Sequence, residues 1–221
     1  MASYLLLGAG KFGRLALRRL AGQDPEARFL VIDRSEQALA EARTLEIAGA
    51  QMRADEAIAY LAAHLGPEPP WDWLLPLVPV HVAYGWLLAG PLAGKNWEPA
   101  EVPWDLDALA ALAVRGPAGE LYLSQARHLC PDDCAEPLAC PVTGEARRPL
   151  FLKLAEASRP GLPILVVASR QLAPGVGGFP PRRLLELAAE VGERSGPLLI
   201  ATACRCHGVV HGLKRKGEPL A

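Results

Sequence analysis

The first 129 residues of this 221-residue chain contain no cysteine. Nor does either sign of charge prevail: 23 Lys and Arg against 24 Asp and Glu leave a net charge of −1. Without a basic field, nothing draws the chain toward nucleic acid or an anionic membrane surface. The Lys214-Arg215-Lys216 run is too short to alter that and reads as a solvated tail. The N-terminus lacks a basic n-region and a small-residue cleavage site, so no secretory signal is read there and a cytoplasmic location is expected. Long apolar runs are also missing. Residues 73–90 carry no formal charge, but Pro76, Pro79, His81 and Gly85 divide them into a buried strand and a helix, so no membrane span is expected. We find no P-loop or kinase pattern, no complete catalytic triad, no paired-carboxylate signature, no flavin signature and no internal repeat.

What is present begins at once. Residues 4–7 form a short apolar strand, and Gly8, Ala9, Gly10, Lys11, Phe12 and Gly13 follow as G-x-G-x-x-G. Gly8 permits a tight turn out of the strand. Gly10 lets a pyrophosphate approach the backbone because no Cβ intervenes, and Gly13 lets the next helix pack closely on the strand. That helix, expected over 11–20 with Phe12, Leu15, Leu17 and Leu20 apolar, offers its N-terminal N–H groups and positive dipole end to phosphates. A second strand, 28–32, ends in Asp33, twenty positions after Gly13, where a carboxylate would hold a ribose 2′-hydroxyl. Asp33 favours NADH over NADPH, and the adjacent Arg34 relaxes that choice.

Alternation then continues. Ser35 caps a helix running to about Thr44, a short strand is read at 47–52, a helix at 55–65, a break at 66–70, a fourth strand at 73–78, and a helix from about His81. His81 either faces a nicotinamide ring from the end of that strand or caps the helix. This is half of a doubly wound sheet. The first 60 or so residues resemble the TrkA-type NAD-binding domains of potassium-transport regulators, through the 8–13 loop and the Val31-Ile32-Asp33-Arg34 strand end. The resemblance implies nucleotide binding at Gly8, Ala9, Gly10, Lys11, Phe12, Gly13, Asp33 and Arg34. It ends after Pro67, so potassium regulation is not carried over.

With 51% hydrophobic residues the chain can build a sizeable core, as one large domain or two small ones. The full reading is an α/β fold with a doubly wound, mostly parallel Rossmann-like sheet, interrupted by a loop-rich, cysteine-containing insertion. Residues 1–90 form the first half and 91–150, punctuated by eight prolines, the insertion. Residues 151–221 complete the sheet with buried strands at 163–168 and 197–202 joined by a helix at 181–193, a right-handed parallel crossover. The Gly175-Val176-Gly177-Gly178 run reads as a turn before that helix or as a second anion-binding loop. Ser169 and Arg170 are the better candidates for substrate contact. Trp71, Trp73, Trp86, Trp97 and Trp104 read as exposed and offer a homodimer surface.

The five cysteines, Cys130, Cys134, Cys140, Cys204 and Cys206, fall in two distant segments. In a cytoplasmic chain such clustering points to metal or redox chemistry before disulfides. Neither segment has the C-x2-C spacing of zinc knuckles. The Cys130-Pro131 and Cys140-Pro141 pairs are similar to those of ferredoxin-like sites, so an iron–sulfur cluster of the [4Fe–4S] type is read first, with zinc and metal-free thiols as alternatives. His128, His207 and His211 read as surface or hydrogen-bonded histidines rather than ligands. If the last buried strand lies parallel to the first, the thiol site borders the nucleotide cleft. The expected function is an NAD(H)-binding protein with a cysteine-ligated cluster in redox chemistry or redox sensing, taking a small-molecule or nucleotide ligand and a redox or regulatory partner. The alternatives are a zinc-dependent NAD oxidoreductase, a nucleotide-sensing regulator with a structural metal, and an S-adenosylmethionine-dependent methyltransferase.

Overall fold

The computed structural model describes residues 1–217. Strand β1 (Ser3–Leu7), helix α1 (Lys11–Gln23), β2 (Arg28–Asp33), α2 (Glu36–Arg43), β3 (Ala50–Ala54), α3 (Ala57–His64) and β4 (Trp73–Pro76) alternate. The four strands form a parallel sheet in the order β3-β2-β1-β4. Leu5, Leu6 and Leu7 of β1 are fully buried, as a central parallel strand covered on both faces requires. Ser35 caps α2 by accepting from the Ala38 N–H at 3.2 Å. The third strand begins at Ala50, later than the apolar Ile47 indicates, because Ile47 closes a turn into Ala50.

The chain continues through α4 (Val82–Ala89), β5 (Trp97–Ala100), a 3-10 turn (Trp104–Leu109), β6 (Leu112–Arg115), β7 (Leu121–Ser124), α5 (Leu150–Glu156) and β8 (Ile164–Ala168). A hairpin of β9 (Arg170–Ala173) and β10 (Val176–Gly178) follows, then α6 (Arg182–Gly192), β11 (Leu198–Ala203) and β12 (His207–Arg215). β8 and β11 are parallel neighbours joined through α6, as the strand–helix–strand pattern predicts. They do not extend the first sheet. They belong to a second, six-stranded mixed sheet, ordered β6-β7-β12-β11-β8 with β5 also paired to β12. The outer edge of β4, where a fifth parallel strand would pair, is taken instead by Phe179, which exchanges both backbone hydrogen bonds with Leu74 at 2.9 and 3.0 Å. A single sheet spanning the chain is therefore corrected to a mixed α/β architecture with a parallel four-stranded sheet and further sheets. Residues 91–150, read as loop-rich, supply β5, β6 and β7 to the second sheet.

One core joins the two sheets. Leu5, Leu7, Ile32 and Leu74 of the first sheet pack through α3, α4 and α6 against Leu165, Val167, Leu198, Ile200 and Leu213 of the second. The far face of the first sheet is covered by α1 and α2, and the far face of the second by α5 and the 3-10 turn. Trp86 and Trp97 are core residues, 2% and 6% exposed, so they do not form a docking face. Trp104 is exposed, but the Arg115 guanidinium lies 3.8 Å from its ring centroid. Nor do Lys214 and Arg215 form a tail: both lie in β12, with Arg215 stacked 4.1 Å over Trp97 and Lys214 3.5 Å from Glu98.

Two glycines of the loop are demanded by packing. Gly8 sits at φ +119° with a would-be Cβ 2.8 Å from the Leu77 carbonyl oxygen, and a Cβ on Gly13 would stand 2.2 Å from the Gly8 carbonyl oxygen. Gly13→Ala is therefore expected to destabilise the chain by about 1–3 kcal/mol, the usual scale of overpacking against a backbone that cannot retreat. Urea unfolding measures this, and an unchanged midpoint would contradict the close helix–strand contact.

Candidate functional site

The glycine loop leaves the carboxyl end of β1, and its geometry is set by Asp33 at the carboxyl end of β2. The Asp33 carboxylate accepts from the Ala9 N–H at 2.7 Å and from the Ser35 N–H at 2.8 Å. α1 starts immediately after Gly10, with no side chain capping its first turn. A Cβ on Gly10 would meet no described atom within 4 Å, in contrast to Gly8 and Gly13. The backbone at Gly10 is therefore open to close approach. Phe12, expected on the apolar face of α1, points outward and is 47% exposed. Arg34 is exposed beside Asp33.

All five cysteines line one cavity of about 360 Å³. Its opposite wall includes Phe12 from the first turn of α1 and Pro76 and Leu77 from the end of β4. The thiols and the glycine loop thus meet although they stand on different sheets. The hairpin brings them together. Gly175 (φ +63°) turns the hairpin so close to the cysteine loop that a Cβ there would stand 1.9 Å from the Asp132 carbonyl oxygen. The Gly175 N–H and the Gln171 side-chain amide both donate to the Cys134 carbonyl, at 3.0 and 2.6 Å. Lys11 of α1 pairs with the Asp132 carboxylate at 2.5 Å, and Arg19 donates to the Asp132 carbonyl at 2.8 Å. The Gly175–Gly178 run is thus the turn and second strand of a hairpin.

Four polar side chains around the cavity, Arg147, His128, His207 and Glu136, face sulfur. Arg147 is 9% exposed, its guanidinium donates to Cys206 Sγ at 3.9 Å, and it makes no ion pair among the described residues. No carboxylate answers this guanidinium among the described residues, so Cys206 is the side chain placed to share its charge. His128 Nε2 lies 3.8 Å from Cys140 Sγ, and His207 Nε2 lies 3.8 Å from Cys130 Sγ. For Cys140, burial raises the thiol pKa, but N–H donors from Thr143 and Val142 outweigh it and the net shift is downward. Burial raises Cys130, as do its neighbours Cys134 and Cys140. Cys206 is raised by burial against the pull of Arg147. Cys204 differs: burial and the Glu136 carboxylate push its thiol far up, and its Sγ donates to Glu136 at 2.7 Å. Glu136 and Arg147 are the site residues that sequence reasoning missed, whereas His128 and His207, read as surface or hydrogen-bonded, lie against Cys140 and Cys130. Nothing local marks Glu136 or Arg147.

A second cavity, about 310 Å³, shares Pro76, Ser169, Cys204 and His207 with the first. Ser169 thus borders both cavities, whereas Arg170 lines neither. The second cavity is floored by His81, which stands just before α4 but makes no capping bond. His81 Nδ1 lies instead 2.9 Å from His211 Nδ1, and its Nε2 is 3.0 Å from Thr202 Oγ1. The Tyr84 ring stacks on His211 with centroids 4.1 Å apart, and burial pushes the Tyr84 hydroxyl up to about 12. The pair ties α4 of one unit to β11 and β12 of the other.

The molecule is thus a mixed α/β protein with a cysteine-lined cavity between its parallel sheet and its second sheet. The family model AF_1314_C, described as an uncharacterized protein, C-terminal domain, matches residues 72–216. The chain belongs to that family. A protein of Archaeoglobus fulgidus, itself described as uncharacterized, is 30% identical over 230 residues, which span 96% of this chain and 99% of that one. No solved structure matches. No helix among the described residues is long and apolar enough to cross a membrane.

Burial holds His81 well below its ordinary 6.5, with the neighbouring His211 adding to the shift, and burial also lowers His211. Folded-state values below the unfolded ones mean that this stability is complete above about pH 6.5 and is lost as pH falls toward the folded values. Urea unfolding between pH 8 and 5 should show stability declining below that point, with a shallower decline in His211→Gln. An unchanged slope in that variant would remove the pair as the cause.

Proposed function

We propose that this protein binds NAD(H) along the carboxyl edge of its parallel sheet and an iron–sulfur cluster in the cysteine-lined cavity, and that it acts in redox chemistry or redox sensing. The observation that carries this reading is the single cavity that receives all five thiols on one side and Phe12, Pro76 and Leu77 of the glycine-loop side on the other.

The strand order β3-β2-β1-β4, with the chain reversing direction across the sheet between β1 and β4, supports a Rossmann-like nucleotide site. The uncapped start of α1, the open face of Gly10 and the Asp33 carboxylate are the parts such a site needs for a pyrophosphate and a ribose. The resemblance of the first 60 residues to TrkA-type domains points the same way. A nicotinamide extending past β4 would lie toward the thiols.

Cys130, Cys134, Cys140 and Cys206 are the residues that would hold the cluster. Thiolates around a single zinc ion lie about 3.8 Å apart, as Zn–S bonds of about 2.3 Å dictate. Among the described residues no three of these four sulfurs come within 4.8 Å of one another, which suits a larger, multi-iron group. Bound, such a cluster would supply one-electron chemistry. Arg147 would offset its negative charge, while the Thr143 and Val142 N–H groups already stabilise the Cys140 thiolate. Nicotinamide exchanges two electrons at once, so the two groups fit a protein in which one site senses the other or a partner completes the electron transfer.

Protein purified without oxygen is expected to carry about four iron and four acid-labile sulfide per chain, and Cys130→Ser and Cys206→Ser to lose both. A sulfide-free protein would refute the cluster. Titration with NADH and NADPH tests the nucleotide. Asp33→Ala should weaken NADH about 10–100-fold, the scale of a lost charged hydrogen bond. Gly10→Ala should weaken it while costing about 1 kcal/mol or less in stability. Unaltered NADH affinity in both variants would sink the nucleotide assignment.

A further inference from the structure

Glu136, Cys204 and His207 are grouped in the wall of the cysteine-lined cavity. Their ligand atoms all lie within 4.8 Å of one another, the one such trio among the described residues. Cys204 Sγ is 2.7 Å from Glu136 Oε1 and 4.0 Å from His207 Nδ1. Around a tetrahedral zinc ion, sulfur, nitrogen and oxygen ligands lie about 3.3–3.6 Å apart, given bonds of about 2.3 Å to sulfur and about 2.0–2.1 Å to the others. The two observed distances bracket that span, so small side-chain rotations would close the shell.

We propose that Glu136, Cys204 and His207 form a single-ion site for a divalent transition metal of the zinc class, distinct from the set formed by Cys130, Cys134, Cys140 and Cys206.

Three further features fit this site. The donor set of one thiolate, one imidazole and one carboxylate suits zinc and disfavours magnesium or calcium, which take oxygen ligands. The backbone N–H groups of Cys206 and His207 already point at Cys204 Sγ, at 3.4 and 3.3 Å, as donors to a thiolate would. Glu136 occupies the left-handed region at φ +44°, where a residue with a Cβ is disfavoured, and that conformation accompanies the placement of its carboxylate on a half-buried thiol.

Ligation through His207 Nδ1 leaves Nε2 to donate toward Cys130 Sγ, 3.8 Å away. One imidazole would then orient the ion and touch the neighbouring thiol set, as outer partners of metal-bound histidines do. Three protein ligands leave a fourth position open. Cys204 and His207 border both cavities, so that position is reachable from the second, whose wall carries Ser169 and Thr202 among apolar side chains. The chemical class of ligand is a small molecule with a carbonyl or hydroxyl oxygen, which an open zinc site polarises.

The test uses the whole chain, purified without oxygen and dialysed against zinc chloride, with zinc and iron counted by mass spectrometry. About one zinc per chain is expected, and Cys204→Ser and the isosteric Glu136→Gln should each bind zinc at least tenfold more weakly while keeping their iron. Loss of iron in Cys204→Ser with zinc retained would overturn the assignment, as would a wild-type chain that takes up no zinc. Zinc-edge X-ray absorption of the wild-type chain needs no variant. One sulfur near 2.3 Å with nitrogen and oxygen at about 2.0–2.2 Å is expected, and a four-sulfur shell would refute the site. A chain with zinc but no iron would refute the cluster and leave this site standing; iron without zinc would do the reverse.

Discussion

The paired backbone hydrogen bonds between Phe179 and Leu74 are the constraint on which the arrangement of this molecule depends. They close the outer edge of the parallel sheet, which would otherwise present unpaired N–H and carbonyl groups. They also bury Phe179 completely in the core shared by both sheets. Once that bridge is made, the hairpin before it must run along α1, and its turn at Gly175 must press on the cysteine loop. The second sheet is thereby held with its thiols over the carboxyl edge of the first.

The site that results is crowded with groups that water would otherwise solvate. Arg147 is buried among sulfurs, with no carboxylate paired to it among the described residues, while Glu136 is spent on Cys204. In a low-dielectric setting both arrangements cost free energy unless the thiols carry charge or share it with a bound cation. The same logic separates the two groups of ligands. Arg147 faces the Cys206 thiol, whereas Glu136, Cys204 and His207 are the trio proposed for a cation.

Much of the fold was legible in residue order. The apolar runs of β1, β2, β4, β8 and β11, the Ser35 cap and the periodicity of α6 are local signals, and the structure places those elements where the signals fall. The parallel pairing of β8 with β11 followed from the strand–helix–strand pattern and its length. The second sheet was not legible, because β5, β6 and β7 are four-residue strands, and β5 and the β6–β7 hairpin are fixed by pairing to β12, far along the chain. Trp86 and Trp97 were misread for a related reason. A tryptophan among prolines looks exposed until the segment that covers it is known.

The sequence by itself determined the glycine loop, the Asp33 position and the identity of the five thiols, since each is a matter of residue type and short spacing. Only the tertiary structure decided which groups meet. It drew Glu136 and Arg147 into the site, set Glu136 against Cys204, and paired His81 with His211 across 130 positions. The reason is physical. A turn or a helix start is governed by a few neighbouring dihedrals, whereas the partner of a buried charge is set by whichever distant segment the packing of two sheets delivers to it.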